Sequence, residues 1–317
     1  MAEAPLANPS FGIDDIPGQT GRTFLITGAN NGLGLRAAVA LARAGGRIIL
    51  ACRTASTGRA ALQRVREAGP DADHRLVPLD LGDLSSVRTA GERVVDLTDR
   101  LDVAINNAGI MAVPFGTTAQ GFELHFGVNH LGHFMLTDTV MPALLRAEAP
   151  RVVTLSSIAH RQGSIDVADL GFEHRPYRRM TAYAQSKLAN ILFGAELARR
   201  SDASESPLRS VIAHPGVSAT NLFDPMVPRI PGARAATRLA LRAVGNSEAR
   251  GSLSQIYAAT MPDVQNNDYL GPTGLNGIRG PVRRSPRSHT AEDTALAQRL
   301  WEVSARLTGA DFHSLTP

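Results

Sequence analysis

Short runs of apolar, often β-branched residues alternate along the chain with longer stretches whose apolar positions recur at helical spacing. The runs 23–27 (TFLIT), 47–51 (RIILA), 75–79, 103–105, 151–155 (RVVTL) and 209–213 (RSVIA) carry few interior polar positions. Such runs read as strands covered on both faces, since a strand with one wet face would alternate. Between them, an Ala/Leu-rich segment ending at Ala44 and the stretches 54–68, 84–97, 120–145 and 182–200 read as helices. A last helix over 290–308 sets Leu296, Leu300, Val303 and Leu307 on one face, with Gly309 as its stop. Apolar strands alternating with helices of this length predict an α/β fold, a single doubly wound parallel sheet with helices on both faces. Residues 1–21, with Pro5, Pro9, Pro17 and Gly18, read as an N-terminal arm, and 22–317 as one domain. Two stretches break the alternation. Residues 221–246 place Pro225, Pro228 and Pro231 among apolar side chains, and 271–289 is rich in Gly, Pro and Arg and predicts irregular structure.

Composition changes this picture in three places. The net charge of +4 is spread along 317 residues, whereas a nucleic-acid footprint needs a clustered basic face. The group Arg279, Arg283, Arg284 and Arg287 reads as a solvated loop. Cys52 is the one cysteine, so no intrachain disulfide is available and a reducing, cytoplasmic setting is expected. No run approaches the ~20 apolar residues of a membrane span, and the first residues lack the basic and apolar regions of a signal peptide. No membrane anchor is therefore expected. Finally, every basic residue except Lys187 is an arginine. Where arginine serves almost everywhere, a surviving lysine marks a place that wants a compact ammonium.

The first strand runs into Thr27-Gly28-Ala29-Asn30-Asn31-Gly32-Leu33-Gly34. Glycines at such a turn let a pyrophosphate approach a helix N-terminus, where free amides and the helix dipole favour an anion. Gly28, Asn30, Asn31, Gly32, Leu33 and Gly34 are thus candidate dinucleotide contacts, although glycines also serve any tight turn. The second strand ends Leu50-Ala51-Cys52-Arg53, with no acid to hold a ribose 2′-hydroxyl. Arg53 suits a 2′-phosphate, which favours NADP(H) over NAD(H); a simply solvated Arg53 is the alternative.

Lys187 follows Tyr183 by four residues, which puts both on one helical face. An ammonium near a phenol is expected to lower the phenol's pKa and fit it for proton transfer with a carbonyl or alcohol. With Asp80-Leu81 after the third strand, Asn106-Asn107-Ala108-Gly109 after the fourth, Asn129, Ser156-Ser157 after the fifth, and Pro215-Gly216 after the sixth, the chain resembles the short-chain dehydrogenase/reductase family over nearly its whole length. VNHLGHF at 128–134 and AYAQSKLANILF at 182–193 are similar to the retinol dehydrogenase/protochlorophyllide reductase-like branch.

The resemblance implies roles. Tyr183 would be the general acid/base, and Lys187 would grip the nicotinamide ribose and depress the phenol's pKa. Ser157 would hydrogen-bond the substrate oxygen, with Ser156 as the substitute, and Asn129 would hold a water linking Lys187 to solvent. Asp80 and Leu81 would meet the adenine, and Asn107, Ala108 and Gly109 the adenosine side. Pro215, Gly216 and Val217 would meet the carboxamide, and Thr220 the phosphate. The implied reaction is hydride transfer between NADP(H) and a lipophilic small-molecule carbonyl or alcohol; a catalytically silent NADP-binding regulator is the alternative. In that setting, 221–246 reads as an apolar flap over the substrate, with a packed loop as the other reading. No metal is expected, since His125, His130 and His133 do not converge on one helical face. The apolar side of the final helix, Trp301 included, reads as core or subunit contact, with a homodimer or homotetramer as the expected assembly.

Overall fold

The computed structural model describes residues 6–217 and 246–315. Eight strands form one sheet: β1 (Thr23–Thr27), β2 (Arg47–Cys52), β3 (Arg75–Pro78), β4 (Val103–Asn106), β5 (Arg151–Leu155), β6 (Arg209–Ala213), β7 (Tyr269–Gly274) and β8 (Arg279–Arg284). Their order is β3-β2-β1-β4-β5-β6-β7-β8, and only the β7–β8 pair is antiparallel. Every residue of β1, β4 and β5 is buried, as runs without alternation require.

Two layers cover the sheet. On one face lie α1 (Gly32–Arg43) and α7 (Glu248–Thr260), which contribute Leu35, Leu41, Ile256 and Tyr257 to the core. On the other, α3 (Leu84–Leu97) and α5 (Gly132–Leu144) bring Val87, Val94, Phe134 and Val140. The long α6 (Arg179–Ala203) and the final α8 (Thr294–Thr308) extend this second layer, while α2 (Ala55–Ala68) covers the β2–β3 edge. Gly309 ends α8 in the left-handed conformation, φ 74°. Starting from β1 the chain winds outward to β3 and then returns to β4 on the opposite side. The crevice at the carboxyl ends of β1 and β4 is therefore the topological switch point, where such sheets bind ligands.

Three elements depart from the sequence pattern. The helix expected over 120–145 begins only at α4 (Leu124–Phe126), where the Glu123 carboxylate accepts the amides of His125 and Phe126. It then widens into a π-turn, Gly127–Leu131, before α5. The 271–289 stretch is largely a hairpin, not an irregular segment, because Gly274 and Gly280 allow its two strands a tight, bulged return. The expected solvated loop holds only in part: Arg279 is exposed but stands in β8, Arg284 sits in a buried ion pair with Asp268 at 2.8 Å, Arg283 donates to the Pro9 carbonyl, and Arg287 to that of Asn267. Among the described residues no helix is long and apolar enough to cross a membrane. Thr220 and all but Asn246 of the 221–246 segment lie outside the described residues.

Candidate active site

The switch-point crevice is a cleft of about 340 Å³. Its floor is built by Thr27, whose hydroxyl accepts the amides of Asn107 and Ala108 at 3.0 and 2.9 Å. The Asn107 side chain returns the tie, donating to the Thr27 carbonyl at 2.7 Å. This lock leaves no room for a side chain at Gly34: a Cβ there would stand 2.5 Å from the Asn107 amide nitrogen and 2.7 Å from the Gly28 carbonyl. Gly28 and Gly32 hold φ values of 64° and 52°, which suit glycine. Asn31 heads α1 without a side-chain cap, so the first amides of the helix have no side-chain acceptor from that residue.

Those amides line the cleft together with Asn30, Arg53, Asp80, Leu81 and residues 107–110. Arg53 is exposed just past the end of β2. Asp80 keeps its place by accepting the Gly82 amide at 2.9 Å, and Asn30 donates to Thr57 at 3.0 Å. An uncapped helix start, glycines that leave the turn's backbone open and an exposed cation make a donor set that fits a dinucleotide.

At the other end of the cleft, α6 presents Tyr183 and Lys187 one turn apart, both buried. The ammonium lies 5.8 Å from the phenol ring centre and donates to the Leu155 carbonyl at 3.2 Å. Ser157, just past β5, hydrogen-bonds the Tyr183 hydroxyl without lining the cleft, whereas Ser156 lines it and donates its hydroxyl to the Lys187 carbonyl at 2.7 Å. Asn129, in the π-turn, accepts the Ile110 amide at 2.8 Å and donates to the Ile110 carbonyl and to Ser186. A π-turn inside a helix commonly marks a functional site. Met111, Ala112 and Ala159 pack on Tyr183.

One expectation is reversed. The phenol's pKa is not lowered on balance: burial pushes Tyr183 up to about 12, and the Ser157 hydrogen bond only partly opposes it. Burial likewise pushes Lys187 down to about 8. Desolvation disfavours the charged form of each group, and across the observed spacing it outweighs their mutual help. Gly216 and Val217 also stand apart from the cleft, which Pro215 alone of that trio lines. The Val217 amide donates to the Ile278 carbonyl at 3.0 Å, and a Cβ on Gly216 would sit 2.3 Å from the same oxygen. This ties the end of β6 to the β7–β8 hairpin.

The three histidines have separate partners. His125 pairs with Glu123 at 2.9 Å, His130 bonds Ser304 at 2.8 Å, and His133 lies between Thr27 and Asn129. Among the described residues no group of three or more His, Cys, Asp or Glu is placed to hold a metal ion. Thr27 and His133 were both visible within the motifs, yet spacing alone gives neither a role; only the fold brings them together.

Comparison with known proteins agrees with this geometry. The family model of short chain dehydrogenases matches residues 22–229. Human retinol dehydrogenase 13 is 38% identical over 304 residues, covering 93% of this chain and 87% of its own length. Mouse polyprenol dehydrogenase is 39% identical over 302 residues, 93% and 86% of the two chains. A crystal structure of an uncharacterised protein from Mycobacterium paratuberculosis superposes with a TM-score of 0.79 at 41% identity, over 96% of this chain and 99% of that one. The chain belongs to the short-chain dehydrogenase/reductase family, in its retinol dehydrogenase branch, and is an oxidoreductase of the CH–OH/C=O class.

Proposed function

We propose that this protein transfers a hydride reversibly between NADP(H) and a carbonyl or alcohol on a lipophilic small molecule. The observation that carries the reading is that Tyr183 and Lys187 line one end of the cleft whose other end is the glycine turn, with Ser157 hydrogen-bonded to the Tyr183 hydroxyl. NADP(H) held along that cleft would supply or accept the hydride. The uncapped start of α1 would hold its phosphates, Arg53 the 2′-phosphate and Lys187 the nicotinamide ribose.

In the direction of reduction the raised pKa of Tyr183 is useful, because the phenol stays protonated at neutral pH and can give its proton to the substrate oxygen. Ser157 donates a second hydrogen bond to that oxygen as charge develops there. Lys187, in its charged form, stabilises the phenolate left behind. In the direction of oxidation the same phenol must first ionise, so alcohol oxidation is expected to rise with pH. Met111 and Ala112 beside Tyr183, with the exposed ring of Phe115 standing edge-on to Tyr177, support a substrate with an apolar body.

The test follows reduced nicotinamide absorbance with aldehydes and ketones of graded length. Tyr183→Phe should cut turnover by roughly 10²–10⁴ while NADPH still binds; near-wild-type rates would overturn the assignment. Arg53→Ala should weaken NADPH by about 1.5–3 kcal/mol and leave NADH almost unchanged. A protein that binds NADPH tightly and turns over none of the panel would instead fit a silent regulator.

A further inference from the structure

His133 begins the second turn's worth of contacts behind the cleft: it is buried at the start of α5 and does not line the cavity. Its Nε2 lies 2.9 Å from the Thr27 hydroxyl and its Nδ1 lies 3.0 Å from the Asn129 carbonyl. The protons in this chain can be counted. The Thr27 oxygen already accepts two amides, so its single proton must point elsewhere. His133 Nε2 at 2.9 Å is nearer than the Ile105 carbonyl at 3.5 Å. Nε2 is then an acceptor, and the ring's own proton sits on Nδ1 and is donated to Asn129. An imidazolium would set Nε2–H against the hydroxyl, donor against donor. Burial, with the Lys187 charge behind it, also keeps the ring neutral by pushing its pKa down to about 4.

Beyond Asn129 the connections continue to the reacting groups. The Asn129 side chain is doubly bonded to the Ile110 backbone and donates to Ser186 at 2.9 Å. Ser186 in turn donates to the Tyr183 carbonyl at 2.8 Å. One side of the imidazole therefore meets the lock that forms the dinucleotide floor, and the other meets the residue that braces the Tyr183 turn.

The geometry points to His133 as a positioning residue: a neutral, single-tautomer imidazole that fixes the π-turn carrying Asn129 against the floor of the dinucleotide cleft. Only the kinetic part of its test rests on the reaction proposed above. The direct test labels the histidine ring nitrogens and compares the protein with His133→Asn by nuclear magnetic resonance at neutral pH. The signals lost in the variant should belong to an Nδ1–H tautomer; an Nε2–H tautomer or an imidazolium overturns the inference.

The kinetic test uses two half-replacements. Glutamine keeps an acceptor near the Nε2 position, and asparagine keeps a donor near Nδ1. His133→Gln should lower kcat about tenfold, the scale of one lost hydrogen bond, with a smaller change in NADPH affinity. His133→Asn should do the reverse, weakening NADPH about tenfold and sparing more of kcat. Equal losses in both variants would mark a merely structural residue and overturn the inference, as would unchanged kcat in His133→Gln. If the unmodified protein turns over no carbonyl or alcohol, the proposed reaction fails alone, and the tautomer still decides the role of His133.

Discussion

Lys187 is held buried on α6, its ammonium donating to the Leu155 carbonyl at 3.2 Å, and burial lowers its pKa from 10.5 to about 8. The sign of this shift has a consequence for stability. A cation whose folded pKa lies below its unfolded value is disfavoured by folding. The cost is complete below about pH 8 and is relieved as pH climbs towards 10.5. Lys187→Met should therefore stabilise the protein by roughly 1–3 kcal/mol at neutral pH while abolishing turnover. Denaturant midpoints with and without the substitution check it; a lower midpoint would show that the lysine serves the fold. The pairing of Tyr183 with Lys187 was legible in the sequence, because helical spacing and the scarcity of lysine both survive in one dimension. The direction of the phenol's shift was not, since it depends on how much water the folded chain removes from each group.

Among the elements, the glycine turn offers the clearest case of size mattering more than propensity. Replacing a helical glycine by alanine ordinarily favours the helix by about 1 kcal/mol. At Gly34 the added methyl would meet the Asn107 amide nitrogen at 2.5 Å, and Asn107 would have to release the Thr27 carbonyl. Overpacking of this kind costs about 1–3 kcal/mol. Gly34→Ala is expected to lower Tm and to weaken dinucleotide binding together, measured by thermal scans and by titration; a rise in Tm would show that α1 can shift freely. The elements differ in how openly they are written. β1, β2, β4, β5 and β6 announce themselves because they are covered on both faces and need apolar side chains almost throughout, whereas β3 at the sheet edge buries Val77 alone. β7 and β8 are concealed by Gly271, Pro272, Gly274, Gly280 and Pro281, residues tolerated where the sheet ends in a bulged hairpin. The π-turn has the same composition as the helix around it, so hydrophobic spacing passes over it.

Across the whole molecule, the segment before β1 is tied to the far side of the sheet. Leu6 and Phe11 are buried in the same core as α1 and α7, Phe11 stands edge-on to Tyr257 at 4.9 Å, and the Ala7 amide donates to Asp263. The polar, turn-rich character of residues 1–21 hides these two anchors. α7 also reaches the cleft, since Gln255 donates to the Leu33 carbonyl at the start of α1. The N-terminal segment, α7 and the glycine turn thus form one stack. Phe11→Ala should cost about 3 kcal/mol, read from urea midpoints, with Tyr183 chemistry intact in the folded fraction. A change below about 1 kcal/mol would detach the segment from the core.

The π-turn at Gly127–Leu131 makes chain length itself a determinant of the site. A π-turn holds one residue more than the α-turn it replaces, and each residue of a helix advances the chain by about 100°. Deleting any one residue of the turn would let the helix close regularly, and the residues within it would lose the places that the extra residue gives them. Asn129 would swing off Ile110 even though no side chain of the pair had changed. Substitutions in this stretch are therefore of a different kind from insertions and deletions: the former exchange contacts, whereas the latter re-aim the whole turn.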